Sequence, residues 1–155
     1  PVDCPWTAVD RVLAALPADV RCVLLDFHAE ATSDKQAIGR YLDGRVSAAL
    51  GTHTHVPTAD EQIFPGGTAF QCDVGMTGPY ESILGRKIDR VTDATITFRP
   101  APFQVATGDR RIGAAIVDVD PDTGNATAIK RIMINEQEAA ELQARCGTPN
   151  GTPVL

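Results

Sequence analysis

The sequence predicts a mixed α/β fold in which helices flank either one mixed sheet or a two-sheet sandwich. Three observations carry this. The first third alternates helical and strand patterns in the order α-β-α-β, and helices between strands imply parallel pairing through right-handed crossovers. From Gln62 onward the pattern changes to short strands joined by tight turns, Pro65-Gly66-Gly67 and Pro121-Asp122-Thr123-Gly124-Asn125. Hydrophobic residues make up 43% of the chain but aromatics only 5%, so Val, Ile, Leu and Ala must build most of the core.

In chain order, Trp6, Val9, Val12, Leu13 and Leu16 recur at helical spacing, which predicts a helix over 6–16 with Asp3 or Thr7 as cap and Pro17 as stop. Val20 to Phe27 is a near-continuous apolar run and predicts a strand covered on both faces. A second helix begins at Ser33 and ends near Asp43-Gly44, and Val46 to Leu50 is a second short buried strand. Gln62–Phe64 and Thr68–Cys72 pair as a hairpin. Ser82–Val91 is expected as a helix, Phe103–Ala106 and Arg110–Val119 as strands, and Ala126–Ile134 as the partner of the latter. Glu136–Cys146 forms a final helix with a charged surface, and Pro149–Leu155 is a loose tail.

The 155 residues correspond to one domain of ordinary size, with no repeat, linker or internal boundary. A net charge of −6 argues against an extended nucleic-acid interface, which needs a basic face, but leaves room for a small phosphate ligand held by a metal. No apolar run is long enough to span a membrane. Cys4, Cys22, Cys72 and Cys146 are mutually distant and form no Cys-x-x-Cys, so neither a zinc ribbon nor a redox motif is present. Cys22 and Cys72 lie in apolar runs and are expected as buried thiols in a reducing cytoplasm. The chain begins at Pro1 rather than Met, as expected of a polypeptide that was processed, trimmed or cut from something longer.

The chemistry concentrates in three histidines. His28 follows the first strand, and His53 and His55 lie in Gly51-Thr52-His53-Thr54-His55 directly after the second. Both places are carboxyl ends of strands that read as parallel, where open α/β sheets bind ligands. Three imidazoles converging there suit zinc, iron or manganese-class ions, with Asp26, Glu30, Asp60 or Asp73 as a further ligand or as the partner that fixes an imidazole tautomer. The plainer alternative is that each histidine only caps a strand end. Gly51 is expected to let the chain turn sharply. Asp73-Val74-Gly75-Met76-Thr77-Gly78-Pro79 is either an anion cradle, offering Gly75, Thr77 and backbone amides, or a tight connection rich in turn formers.

Together, Leu25-Asp26-Phe27-His28-Ala29-Glu30-Ala31-Thr32-Ser33, Gly51 through Asp60, and Asp73 through Pro79 resemble the YmdB-type metallophosphoesterases, a bacterial branch of the calcineurin-like phosphoesterases. The resemblance runs from Asp3 to Ile134. It implies a calcineurin-like β-sandwich flanked by helices in α-β-β-α layers, present here as its C-terminal portion only. It further implies two divalent metal ions, manganese or iron with zinc as the next choice. His28 and His53 share one metal site, His55 ligates the other, and Asp26, Thr54, Asp73, Gly75 and Thr77 stand behind them or against phosphate. The implied activity is hydrolysis of 2′,3′-cyclic nucleotides or similar small phosphodiesters by a metal-activated water, in a cytoplasmic homo-oligomer. The family's remaining ligands and its catalytic acid have no counterpart before His28, and no fourth histidine exists. The chain alone is therefore expected to be inactive or nearly so. Two other readings stay open: a single-metal three-histidine hydrolase or lyase, and a non-catalytic metal-binding domain.

Overall fold

The computed structural model describes residues 2–146. Its first third consists of α1 (Pro5–Ala15), β1 (Leu24–His28), α2 (Thr32–Tyr41) and β2 (Ala48–Thr52). β1 and β2 pair in parallel from Leu24↔Ala48 to His28↔Thr52. β3 (Gln62–Ile63) and β4 (Ala69–Gln71) form the expected hairpin, and β4 also lies parallel to β2, giving a four-stranded sheet in the order β1-β2-β4-β3. A second, antiparallel sheet has the order β5-β6-β7, from β5 (Thr77–Pro79), β6 (Arg110–Val119) and β7 (Ala126–Asn135). α3 (Ile88–Thr97) lies between β5 and β6 in the chain, and α4 (Glu136–Cys146) follows β7. The protein is thus mixed α/β, with two sheets and four helices among the described residues.

Helical spacing explains how α2 covers the first sheet. Lys35, Ile38, Gly39 and Leu42 fall at i, i+3, i+4 and i+7, and all four are buried. Ile38 and Leu42 pack with Val46, Ala49, Phe64, Phe70 and Cys72, while Trp6, Val9 and Leu13 of α1 close the outside of this cluster. Phe64 and Phe70 stack at 5.0 Å, and Gly39 admits Phe70, whose Cδ2 would lie 2.5 Å from any β-carbon there. Each fully buried Leu, Ile or Phe contributes about 1.5–3 kcal/mol. The sheet's other face meets the second sheet through Ala48, Ala69 and Ala126, joined by Leu50, Val117 and Ile129. Small alanines let the two layers approach, and the Ala126 N–H donates to the Gly67 carbonyl at 2.8 Å.

Several expectations are corrected. β1 is covered on one face only. Among the described residues it is an edge strand, and the alanine seam to the second sheet lies on β2, β4 and β7, so Leu24 is 64% exposed. Cys22 sits before that edge and is exposed; Cys72 is the buried thiol, and burial, followed by the Asp60 charge, pushes its pKa up. Neither Asp3 nor Thr7 caps α1; Cys4 occupies the cap position without a side-chain bond, and Pro5 opens the helix. The third helix starts at Ile88, not Ser82. Residues 82–87 instead form a tight turn in which Leu84 and Gly85 have positive φ and Ser82 Oγ accepts the Gly85 N–H, a geometry no helix tolerates. Of Phe103–Ala106 only Val105 makes a β contact, an isolated bridge to Arg86. Thr77–Pro79, expected within a loop, is strand β5. The tail at 149–155 lies outside the described residues. No helix among them is long and apolar enough to cross a membrane.

Candidate metal centre

Parallel pairing sets the geometry of the site. His28 ends β1 and is in register with Thr52, which ends β2, so His53 emerges beside His28 at the same edge of the sheet. His28 Nε2 lies 3.0 Å from His53 Nδ1, with the rings edge-on, 4.8 Å between centroids. Period-two alternation places Asp26 on the same face of β1 as His28. The Thr52 hydroxyl bridges them, donating to Asp26 Oδ1 at 2.9 Å and standing 3.0 Å from His28 Nδ1. The proton order follows from this network. Thr52 spends its hydroxyl proton on Asp26, so its oxygen accepts from His28 Nδ1–H. In this tautomer His28 presents the Nε2 lone pair, which accepts from His53 Nδ1–H.

The loop is buttressed from beneath. Lys35 and Asp73 are 1% and 0% exposed and pair at 2.8 Å. Lys35 Nζ also donates to the Thr52 carbonyl at 3.2 Å, and Asp73 accepts the Thr54 and Gly75 backbone N–H groups, each at 2.9 Å. Burial alone would raise the Asp73 carboxyl pKa; the Lys35 ammonium and the two amides outweigh it and hold the group below the usual carboxylate range. Gly51 is not a sharp turn. It lies within β2, where a β-carbon would fall 1.8 Å from the Cys72 carbonyl oxygen and 2.6 Å from Lys35 Cδ. Its role is close approach of backbone to backbone.

The structure brings two imidazoles together rather than three. His53 and His55 both have positive φ, 119° and 65°, and the loop turns between them. His55 Nδ1 lies 3.2 Å from the Leu84 carbonyl and donates to it. No group of three or more His, Cys, Asp or Glu side chains is placed to hold one ion among the described residues. The Asp73 carboxylate occupies the amides of Thr54 and Gly75, and Thr77 is in the β5 ladder opposite Ile112. The Thr54 hydroxyl donates to the Val56 carbonyl, Asp60 accepts the Cys72 N–H, and Glu30 lies exposed before α2. Lys35 was missed, although the signal was present: a lone lysine in the same helical row as Ile38, Gly39 and Leu42.

The spacing of the His28 and His53 nitrogens fits a shared divalent ion. Two imidazole nitrogens at about 2.1 Å from one ion lie about 3.0 Å apart at a right-angled pair of positions, which is the separation of His28 Nε2 and His53 Nδ1. His28 already offers a lone pair there. His53 does so once its proton sits on Nε2, and its ring is exposed enough to make that exchange.

Residues 1–132 match the family described as YmdB-like protein. The chain is 46% identical over 136 residues to the 2′,3′-cyclic-nucleotide 2′-phosphodiesterase of Bacillus subtilis, covering 88% of this chain and 52% of that protein. A crystal structure of a hypothetical protein from Thermus thermophilus superposes with a TM-score of 0.81 at 46% identity, over 88% of this chain and 52% of the other. A novel phosphatase from Mycoplasma pneumoniae superposes with a TM-score of 0.79 at 30% identity, over 88% and 49%. The chain spans about half the length of these relatives. On the match over residues 1–132, a range that includes the histidine edge, the chain belongs to the YmdB-like family.

Proposed function

We propose that this chain supplies one wall of a metal-dependent phosphodiesterase site of calcineurin-like sandwich layout, acting on 2′,3′-cyclic nucleotides or similar small phosphodiesters. The observation that carries the reading is the 3.0 Å pair of His28 and His53 at adjacent strand ends. The name of the Bacillus relative supports the substrate class. Two divalent ions, manganese or iron with zinc as the next choice, would polarise the phosphoryl group and lower the pKa of the attacking water.

The chain's own residues do the rest of what is visible. His28 and His53 present nitrogens to one ion, and Asp26 through Thr52 holds the His28 ring in the Nδ1–H tautomer that frees Nε2. His55, its Nδ1 tied to Leu84, leaves Nε2 for the second ion. A chain of net charge −6 repels a phosphodiester unless cations stand between them, which suits ions at this edge. All three histidines are used as ligands, so the proton for the leaving ribose oxygen comes from outside them.

The test joins this chain to the N-terminal half of the Bacillus relative and measures 2′,3′-cyclic AMP hydrolysis with manganese, beside the 155-residue chain alone. Turnover by the fusion, lost on His53→Ala, with little or none from the chain alone, is expected. Full turnover by the chain alone, or a fusion that binds metal without hydrolysing, overturns the reading.

A further inference from the structure

We propose that the buried Lys35–Asp73 ion pair is a positioning device for His53: it holds that residue's backbone in a left-handed conformation and so sets the spacing of the His28 and His53 nitrogens. The inference rests on the reading of that imidazole pair as metal ligands. The two peptide groups that flank His53 are both tied to the pair. The Thr52 carbonyl accepts from Lys35 Nζ at 3.2 Å, and the Thr54 N–H donates to Asp73 Oδ2 at 2.9 Å, the same oxygen that Lys35 reaches at 2.8 Å. The other carboxylate oxygen takes the Gly75 N–H, which fixes the carboxylate's orientation. Between these two anchors His53 has φ 119°, which a residue with a β-carbon rarely holds unless its surroundings impose it.

Stability alone does not call for an ion pair at this place. Lys35 stands in the apolar row of α2, where a methionine or leucine would pack without desolvating a charge, and buried ion pairs are commonly no better than apolar replacements of their volume. The fold nonetheless makes room for it: Gly51 leaves open the space that the Lys35 stem crosses. A charge taken through a core to reach one carbonyl and one carboxylate, both serving the same loop residue, is placed for geometry. His53 then reaches His28 without help from the loop's exposed face.

The test uses the metal-free, isotope-labelled chain. Long-range imidazole 1H–15N spectra read the tautomers of His28 and His53 in the wild type, in Lys35→Met/Asp73→Asn, in Asp73→Asn alone, and in Leu42→Ala as an equally buried control at the C-cap of the same helix. Circular dichroism identifies the variants that remain folded, and titration calorimetry measures manganese affinity. The wild type and Leu42→Ala are expected to show Nδ1–H on both rings. The folded anchor variants should lose the His53 form and bind manganese about tenfold or more weakly. Folded anchor variants with unchanged His53 signals and affinity overturn the proposal, as does a wild type whose rings are in the ordinary Nε2–H form. A His53 tautomer lost in the anchor variants while even the wild type binds no metal sustains the positioning role and overturns the metal reading instead.

Discussion

The Thr52 hydroxyl donates to Asp26 Oδ1 at 2.9 Å while its oxygen faces His28 Nδ1 at 3.0 Å, so one side chain from β2 links a carboxylate and an imidazole two residues apart on β1. Thr52→Val keeps the shape and removes this link. The group is partly open to water, so the expected stability loss is small, about 0.5–1.5 kcal/mol in urea unfolding. The His28 tautomer should become mixed and manganese affinity should drop. An unchanged His28 15N spectrum would show that the bridge does not set the ring.

Gly51→Ala is expected to be among the most damaging single changes. Its β-carbon meets the Cys72 carbonyl oxygen, a backbone atom that cannot swing aside, and β2 must separate from the chain leaving β4 to accommodate it. A loss of about 3 kcal/mol or more is expected from overpacking of this kind. An unfolding midpoint equal to wild type in urea would refute the close approach.

Acid should weaken the buttress. The Asp73 carboxyl is held below its ordinary 3.8 in the fold, so the unfolded chain takes up this proton first as pH falls. Its contribution is complete above about pH 5 and is lost as pH drops through the folded-state value. Urea midpoints measured from neutral to acid pH should therefore fall less steeply in Lys35→Met/Asp73→Asn than in the wild type. Parallel curves would mean that other carboxylates carry the acid response.

Metal should stabilise the chain through His53. A ligand that binds only the folded state adds about 2.7 kcal/mol at a hundred times its dissociation constant. Manganese or zinc is expected to raise the melting temperature of the wild type and to have a much smaller effect on His53→Ala. The exposed His53 side chain should leave the metal-free melting temperature of that variant near wild type. An equal metal response in both proteins removes His53 from the site.

Much of the fold was legible because periodicity reports burial directly. The second helix, the Pro65-Gly66-Gly67 hairpin and the long β6–β7 pair each follow from local pattern. The misplacements have physical causes. The 82–91 segment carries helix-compatible residues, but Leu84 and Gly85 enter the left-handed region and delay the helix to Ile88. Val20–Phe27 reads as buried on both faces because apolar content shows hydrophobicity and not sheet position, and β1 is an edge.

At the site, the amino-acid sequence alone determined that three histidines stand at the carboxyl ends of two parallel strands, because strand patterns and their order are local. Which of them meet was decided only by the tertiary structure. Register puts His28 beside Thr52 and therefore beside His53, while the turn after His53 sends His55 to Leu84. The role of Asp73 changed in the same way. In the sequence it is a loop carboxylate beside glycines; in the fold it is buried against Lys35, 38 positions earlier, because α2 packs over β2 and brings the two charges to one point beneath the loop.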